Sequence, residues 1–368
     1  MGGLEIEAGG SEKAETAAAE TKGGVSPVEG RTAPTKAGGF PRRWLTIRDK
    51  PGPMENGLLG LAALLLALVI WQIITAGPPE ERLIGSLTLP SPGETIASLP
   101  SLWFDRALAR SAIWSLGRVL GGFLLAAAVG VPLGVAAGAF KRLNAFLRPL
   151  SIFGRNVPVA ALIPLTLIWF GLGETQKVMF IFFACVAFIF FDSACAVDAV
   201  PDTYLDTAYT LGARFVPREG AILAVMTAAA YTAVLAVLYL TLSEAQGWVD
   251  RVTGTLMIAS LGFVLGFVLW WPILAFQAVR KVLFPLSLPD IINSLRLLFG
   301  LAFGYIMLAE VINAEAGLGS IIIVSQRRGP REHIYLALII IALLAFGIDR
   351  LVLYLQRRLF PYRRPSES

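Results

Sequence analysis

The fold of this chain is decided by two stretches, DTAYTLG at residues 206–212 and VLFPLSLP at residues 282–289. The first is polar and contains Gly212, a residue suited to a turn. The second follows Arg280 and Lys281 and carries two prolines at the start of another apolar run. Each adjoins apolar runs of about twenty residues, the length that an α-helix needs to cross a roughly 30 Å hydrocarbon core. We therefore predict that both stretches are connecting segments between membrane-spanning helices.

The composition indicates an integral membrane protein. Hydrophobic residues make up 56% of the 368 residues and charged residues only 15%, whereas about 25% of the residues of a soluble domain are charged. Alternating strands of roughly ten residues are absent, which argues against an outer-membrane barrel. The net charge of +5 comes from basic residues that lie mostly beside apolar runs, so the pattern does not favour nucleic-acid binding.

Metal and disulfide chemistry are not expected. Cys185 and Cys195 are ten residues apart in one apolar run, which is about 15 Å along a helix and too far for a disulfide. They are interpreted as small buried hydrophobic residues. His333 is the only histidine, so a histidine-based metal cluster is excluded, and no cofactor is predicted.

The predicted fold is an all-α polytopic membrane protein of about eight spans. Basic residues cluster at 42–50 and at 357–364, which places both termini in the cytoplasm by the positive-inside rule. Few large apolar residues occur near the N-terminus, so that tail is expected to be disordered. The predicted divisions are a cytoplasmic tail at 1–50, a first helix and external segment at 51–110, a core at 111–219, an inserted helix pair at 220–279, the rest of the core at 280–357 and a basic tail at 358–368.

Two spans carry local signals. The second, at about 115–140, is rich in glycine, and small residues let helices approach closely in lipid; these glycines are Gly121, Gly122, Gly130, Gly134 and Gly138. The third, at about 150–170, contains Pro158 and Pro164 and is predicted to be kinked or broken. Lys141, Arg142 and Arg148 are interpreted as a short cytoplasmic turn between these spans.

The ordered motifs of the chain resemble a known family. Read together, the two opening stretches resemble the signature E-A-A-x(3)-G-x(9)-I-x-L-P of bacterial ABC-importer permeases. Further matches indicate the branch for nitrate, sulfonate, taurine and bicarbonate. They are LPSP at 89–92, SLGRVLGGF at 115–123, VPLG at 131–134, PVAALIPL at 158–165, WFGLGE at 169–174, KV at 177–178, AE at 309–310 and GLG at 317–319.

The signature is interrupted in this chain. The family spacing from the glycine to the isoleucine is 10, whereas Gly212 and Val282 are 70 residues apart. Sixty mostly apolar residues are therefore interpreted as an insertion, a helix pair packed outside the transport core. The resemblance implies a coupling helix at about 204–216 that contacts an ATPase, and the residues assigned to this coupling loop are Asp206, Thr207, Ala208, Gly212, Ala213 and Pro285.

The resemblance also implies partners and a location. It implies a transport subunit of the bacterial inner membrane that carries no catalytic residue, because a separate cytoplasmic ATPase hydrolyses ATP. An external solute-binding protein and a second permease subunit, expected to be a copy of this chain, complete the importer. The expected solute is a small anion or organic molecule of the nitrate, sulfonate, taurine or bicarbonate kind.

Three charges in apolar runs are candidate pathway or structural residues. Arg118 and Arg296 lie inside predicted spans, where a charge is costly unless it is paired or functional. Glu310 is a possible packing partner, and Arg118 lies near the outer edge, where it can snorkel or pair with a carboxylate. The sequence leaves both alternatives open.

Two other functions remain as alternatives. A self-contained secondary transporter or channel predicts an inverted repeat and a polar pore lining, and no repeat is evident in the sequence. A degenerate permease that no longer couples to ATP is suggested by the interrupted signature. A membrane enzyme would need an interfacial polar cluster, which the scattered carboxylates and single histidine do not supply.

Overall fold

The structure, a computed structural model, describes residues 52–78, 82, 84–85, 88–242, 248–313, 316–328 and 330–360. The chain divides into two units, residues 1–66 and 67–368. In the first unit the described residues form the first part of helix α1 (Pro53–Ile74), and all packing described below belongs to the second. The tail predicted at 1–50 and most of the tail at 358–368 lie outside the described residues.

The described part of the second unit is helical, with one isolated β-bridge between Phe215 and Phe276. The helices after α1 are α2 (Pro92–Ala97), α3 (Leu99–Phe104), α4 (Leu108–Ala139), α5 (Lys141–Asn156), α6 (Leu162–Phe170), α7 (Glu174–Asp198), α8 (Asp202–Thr210), α9 (Pro217–Leu242), α10 (Trp248–Ala275), α11 (Phe284–Asn313), α12 (Leu318–Arg328) and α13 (Glu332–Leu359). A 3₁₀ turn (Val159–Ala161) precedes α6, and a π-helical turn (Val279–Leu283) precedes α11.

Seven of the described segments are long and apolar enough to cross a membrane: α1, α4, α7, α9, α10, α11 with its π turn, and α13. Helices α5 and α6 pass the same test only as a pair, bent by 88° at the break between them, and we interpret them as one broken span, which makes eight. The chain is therefore an all-α polytopic membrane protein, as predicted, and its third span is broken.

Local backbone chemistry explains the break. Proline disfavours helical geometry in the residue before it, and Val157, which precedes Pro158, is extended with ψ 125°. Pro164 lies instead in the first turn of α6, where its missing N–H costs no hydrogen bond. The turn predicted at Lys141–Arg148 is wrong, because those residues form the first half of α5 and only Phe140 is extended between α4 and α5.

The segment before α4 begins with a capped helix. Ser91 accepts a hydrogen bond from the Glu94 N–H (3.2 Å), and the Glu94 carboxylate accepts one from the Ser91 N–H (2.8 Å). Pro92 fills the first helical position, so the LPSP motif encodes a capping box. The Arg82 guanidinium also binds this carboxylate at 2.8 Å. That hydrogen bond, followed by the one from Ser91, lowers the pKa of Glu94 to about 2.

Helices α4, α7 and α11 form the centre of the second unit. Large side chains that are fully buried between them include Phe180, Phe303 and Ile306. The glycines of α4 let α7 approach closely, as predicted. A Cβ atom at Gly122, Gly130, Gly134 or Gly138 would lie 2.5–2.9 Å from atoms of α7, which is inside van der Waals contact.

Gly134→Ala is expected to destabilise the protein by about 1–3 kcal/mol, because the added methyl overpacks the α4–α7 contact. Its Cβ would lie 2.5 Å from the Phe190 carbonyl oxygen and from Ser193 Cβ. Gly117→Ala is the matched control on the same helix, since nothing lies within 4 Å of its Cβ position. Thermal denaturation of both variants in detergent measures the difference. Equal unfolding temperatures would contradict the close packing.

Helices α9 and α10 form an antiparallel hairpin, hereafter the hairpin. A Cβ added at Gly266 would lie 2.8 Å from the Ala228 Cα, and one added at Gly220 would lie 2.5 Å from the Ala275 Cα. The two helices therefore approach closely at both glycines. Between α9 and α4 lies an apolar cavity of about 710 Å³. The expectation that the pair packs wholly outside the core is wrong at one end, because Ile273 is fully buried in a cluster with Val135 and Val197.

Candidate functional site

The segment after α7 is a short helix with a glycine-dependent end. Just after α8 ends, the N–H of Ala213 donates to the Ala208 carbonyl (2.9 Å), and the N–H of Gly212 donates to the Tyr209 carbonyl (3.0 Å). These two bonds define a Schellman motif, which needs a left-handed residue after the helix. Gly212 supplies it with φ +86°. The turn that the sequence predicted at Gly212 is therefore present.

One side of α8 packs on the protein and the other is exposed. Ala208 is buried, and Leu205 packs against the cluster that contains Ile273. Tyr204, Tyr209 and Leu211 are 53%, 59% and 83% exposed, respectively. Asp206 and Thr207 are also exposed, whereas Ala213 is half-buried. The segment thus presents aromatic and apolar side chains at the end of the spans without a partner in the described part of the chain.

The two halves of the interrupted signature are brought together by a short antiparallel pairing, hereafter the neck, of residues 214–216 with 275–277. The Val216 N–H donates to the Ala275 carbonyl (2.8 Å), and the Gln277 N–H donates to the Arg214 carbonyl (3.2 Å). The hairpin therefore leaves and re-enters the core at one place.

Side chains reinforce the neck. The rings of Phe215 and Phe276 lie 4.8 Å apart, and Phe140 at the end of α4 packs on Phe276 at 5.1 Å. An ion pair joins Arg280 and Glu219 at 3.0 Å. Beyond the neck, α8 lies against the π turn. Residues far apart in sequence thus form one continuous surface, the α8 surface, made of residues 202–216 and the adjoining π turn.

The second half of the signature is helical rather than a loop. The π turn continues directly into α11, whose first turn contains Pro285. A proline is tolerated in the first turn of a helix. Pro285, which has no backbone N–H, lies at the junction where the wider π turn changes to α-helix. The loop conformation expected for residues 282–289, Pro285 included, is therefore wrong.

A buried ion network joins the core helices at the end opposite to α8. Arg118 of α4 binds Glu174 of α7 through its Nη2 at 2.7 Å and Glu310 of α11 through its Nη1 at 2.6 Å. Lys177 also binds Glu174, at 2.8 Å. Arg118, Lys177 and Glu310 are each less than 5% exposed. Two cations and two carboxylates balance, so the network buries no net charge.

The backbone around Glu310 is shaped to its carboxylate. Ser115 donates to it at 2.7 Å, and the Gly319 N–H donates at 2.9 Å. A Cβ at Gly317 would lie 2.6 Å from the carboxylate, and one at Gly319 would lie 2.6 Å from the Glu310 Cβ. The GLG motif is therefore required by the close approach of this loop to Glu310, and the pairing alternative for Arg118 agrees with the geometry.

Arg296 has weaker partners. Its Nε lies 3.5 Å from the Asp349 carboxylate of α13, and its Nη2 donates to Asn293 at 3.1 Å. The two side chains border a small cavity of about 230 Å³ between α11 and α13. The structure therefore does not bring Arg296 to Arg118 and Glu310, and the candidate charges form two separate sites.

The sequence reasoning missed several polar residues of these sites. Ser115, Glu174 and Lys177 lie in motifs that were recognised, but none was proposed to join a network with Arg118. Arg155 was also missed, although it lies only three residues before Pro158. A basic residue within one helical turn before a helix-breaking proline inside an apolar span is the signal that would have identified it.

Comparison with known proteins gives consistent matches. The family model of the binding-protein-dependent transport system inner membrane component matches residues 274–361. That match begins at the end of α10, so the hairpin lies almost entirely outside it.

Two curated relatives align over most of the chain. The taurine transport system permease protein of Escherichia coli is 25% identical over 309 residues, which are 83% of this chain and 89% of that protein. The bicarbonate transport system permease protein of Synechococcus elongatus is 27% identical over 310 residues, 83% of this chain and 90% of that protein. A chain of the methionine ABC transporter MetNI, in an inward-facing conformation, is 17% identical with a TM-score of 0.48, covering 72% of this chain and 99% of that chain.

Proposed function

We propose that this chain, which belongs to the permease subunits of binding-protein-dependent ABC importers, conducts a small anionic solute across the cell membrane. The relatives are named for the transport of taurine and of bicarbonate. Both solutes carry an anionic group with oxygen atoms, a sulfonate in one and a carbonate-derived group in the other. The same class of solute is proposed here.

The proposed importer needs further subunits. A cytoplasmic ATPase would hydrolyse ATP, an external solute-binding protein would deliver the solute, and a second copy of this chain would complete the passage. The observation that carries this proposal is the α8 surface, where the two halves of the interrupted signature meet. A short helix seated on packed spans transmits rigid-body motion to them, which is what coupling to an ATPase requires.

The orientation follows from the same proposal. If α8 meets the ATPase, that end of the spans is cytoplasmic, and the buried ion network lies toward the outside. Arg357 and Arg358 in the last turn of α13 agree with a cytoplasmic C-terminus by the positive-inside rule. The basic cluster at 42–50 supports a cytoplasmic N-terminus on the same grounds.

The geometry disfavours the degenerate permease. An insertion that abolished coupling would have no need to keep the two halves of the signature in contact, yet the neck holds the hairpin ends together with two backbone hydrogen bonds. A secondary transporter or channel would also gain nothing from an exposed aromatic surface on α8, since it works without an ATPase.

Cross-linking tests the coupling surface. In a background without Cys185 and Cys195, cysteine at Thr207 is expected to cross-link to a co-expressed cognate ATPase, because Thr207 is exposed on α8. Cysteine at half-buried Ala213 is expected to react more weakly. Ala208→Cys is the matched control, since Ala208 is only 8% exposed on the same helix. If neither Thr207→Cys nor Ala213→Cys reacts while the complex purifies intact, the coupling assignment is wrong.

A further inference from the structure

The broken span has an irregular segment, hereafter the elbow, at residues 155–161. Val157 and Pro158 are extended, with ψ 125° and 118°, and the 3₁₀ turn Val159–Ala161 follows before α6 begins. The helix axis changes direction by 88° across it. The backbone of the elbow therefore lacks the regular hydrogen bonds of an α-helix.

Contacts with α7 place the elbow at the middle of the membrane. Ser151 donates to the Ala187 carbonyl at 3.4 Å, and a Cβ at Gly154 would lie 2.9 Å from the Ala187 Cβ. The Arg155 guanidinium lies 3.9 Å from the centre of the Phe191 ring. Ala187 is close to the middle of α7, which spans the membrane from Glu174 to Asp198. The elbow therefore lies near the midplane.

The elbow is not covered by its own chain. Asn156, Pro158, Ala160 and Ala161 are exposed in the described structure. Irregular backbone at membrane depth does not face lipid, because its free N–H and C=O groups would lack hydrogen-bond partners there. It occurs only where protein buries it or where it borders a water-filled cavity. An exposed elbow is therefore placed against water or against another subunit.

Arg155 carries a positive charge to this position. No carboxylate of the described residues lies within 4.0 Å of its guanidinium, although Asp192 is near enough to interact electrostatically. The guanidinium is held instead over the faces of Phe191 and Phe188, at 3.9 and 5.4 Å, an arrangement that orients a cation without neutralising it. Arg118 and Arg296, in contrast, each have a carboxylate within that distance.

We propose that the elbow lines the aqueous passage at the membrane midplane and that Arg155 binds the anionic group of the passing solute. This inference rests on the proposed transport function and adds the position of the site and the residue that selects an anion. A charge in the membrane is costly unless it is paired or used, and binding a sulfonate or carboxylate group is such a use. The N-terminal end of α6, which follows the elbow, adds a favourable dipole for an anion.

Thiol accessibility tests the first part of the proposal. In a background without Cys185 and Cys195, Asn156→Cys and Ala160→Cys are treated with membrane-impermeant methanethiosulfonates in liposomes, with and without ATP and the cognate ATPase. Val264→Cys is the control, since Val264 is 58% exposed near the middle of α10 on the hairpin. We expect the elbow cysteines to react at least about ten-fold faster than the control, because the reactive thiolate forms only in water. Rates no faster than the control in every condition would overturn the proposal and place the elbow in a subunit contact.

The charge of the reagent tests the role of Arg155. At Ala160→Cys, the reaction rate of a sulfonate-bearing methanethiosulfonate is divided by that of a trimethylammonium-bearing one. This rate ratio is expected to be higher when Arg155 is present. Arg155→Gln is expected to lower this rate ratio by roughly ten-fold, the effect of one unscreened charge several ångströms away, whereas Arg155→Lys should largely preserve it. An unchanged ratio in Arg155→Gln would overturn the assignment of Arg155. These rates need no transported solute, so a failure of the proposed transport function would appear separately, as an absence of taurine and bicarbonate uptake by the complete wild-type importer.

Discussion

Arg118→Met is expected to destabilise the folded protein by about 3–5 kcal/mol, because removing one partner of a buried ion pair leaves an uncompensated charge. Glu174 keeps Lys177 as a partner, but Glu310 loses its only cation in the described part of the chain. Glu310 is 1% exposed, so water cannot replace the guanidinium. The loss of stability is measured by thermal denaturation of the purified protein in detergent, and size-exclusion chromatography quantifies the fraction that remains folded.

Two further variants make this result specific. Arg296→Met is the matched control, because the Asp349 side chain that faces Arg296 is 36% exposed and the atoms lie 3.5 Å apart; a solvated pair of this kind contributes about 1 kcal/mol or less. The double variant Arg118→Met, Glu310→Met leaves a neutral site and should be less destabilised than the sum of the two single variants. If Arg118→Met unfolds at the same temperature as Arg296→Met, the network does not stabilise the core.

The sequence was sufficient to name Arg118 and Glu310 as candidate charges, but not to predict which groups pair with each other. An arginine inside an apolar run needs a carboxylate, and Glu310 could be named as a candidate from that rule alone. The rule cannot choose between carboxylates, because Glu174 and Glu310 are 56 and 192 residues away along the chain. The tertiary packing of α4, α7 and α11 makes that choice. The glycines at 317 and 319 are explained only once the carboxylate beside them is known.

Prolines were interpreted correctly where their effect is local. Pro158 breaks the third span because it constrains Val157, and that constraint acts within two residues. Pro285 was misinterpreted because its effect depends on what precedes it. The π turn at 279–283 leads directly into α11, so no loop is needed. Such a turn has no clear sequence signature.

The basic residues between α4 and α5 misled the interpretation for another reason. Lys141, Arg142 and Arg148 suggested a turn, since basic clusters mark cytoplasmic loops. The same segment also carries apolar residues at helical spacing, and Leu143 and Leu147 pack against core clusters. Amphipathic helices at a membrane edge combine both signals, and apolar spacing is the better guide to their secondary structure.

The hairpin raises the question of which of its residues the core needs. Helices α9 and α10 contact mainly each other, and an apolar cavity lies between part of α9 and α4. At the neck, Ile273 and Val279 are 0% and 5% exposed and lie in the same cluster as Leu283 and Ile291. Phe276 packs on Phe140. The core therefore uses the last turn of α10 and also Trp270, whose ring packs on Phe284, while the Tyr231 hydroxyl of α9 donates to the Ala128 carbonyl of α4. We expect the rest of the hairpin to be an addition.

This division predicts different outcomes for two deletions. Removing 220–279 restores the family spacing of 10 between Gly212 and Val282, but it also removes Ile273, Phe276 and Val279. Because each large buried side chain lost from a core costs about 2–5 kcal/mol, the full deletion is expected to prevent stable folding. Removing only 223–272, with a four-residue Gly-Ser linker in its place, keeps the neck and these three side chains. That variant is expected to insert, to remain monodisperse in detergent and to give the Thr207→Cys cross-link to the ATPase.

ATP hydrolysis by the complete importer then separates the remaining possibilities. If the hairpin is an addition outside the transport core, the neck-retaining variant keeps hydrolysis that is stimulated by the loaded binding protein. A variant that folds and cross-links but shows no stimulation would mean that the distal hairpin positions the α8 surface or recruits another membrane subunit. Equal stability of the two deletions would instead contradict the role of Ile273 and Phe276. The neck itself is tested by Gly220→Val in the full-length chain, because its added side chain would meet the Ala275 backbone and force the two halves of the signature apart.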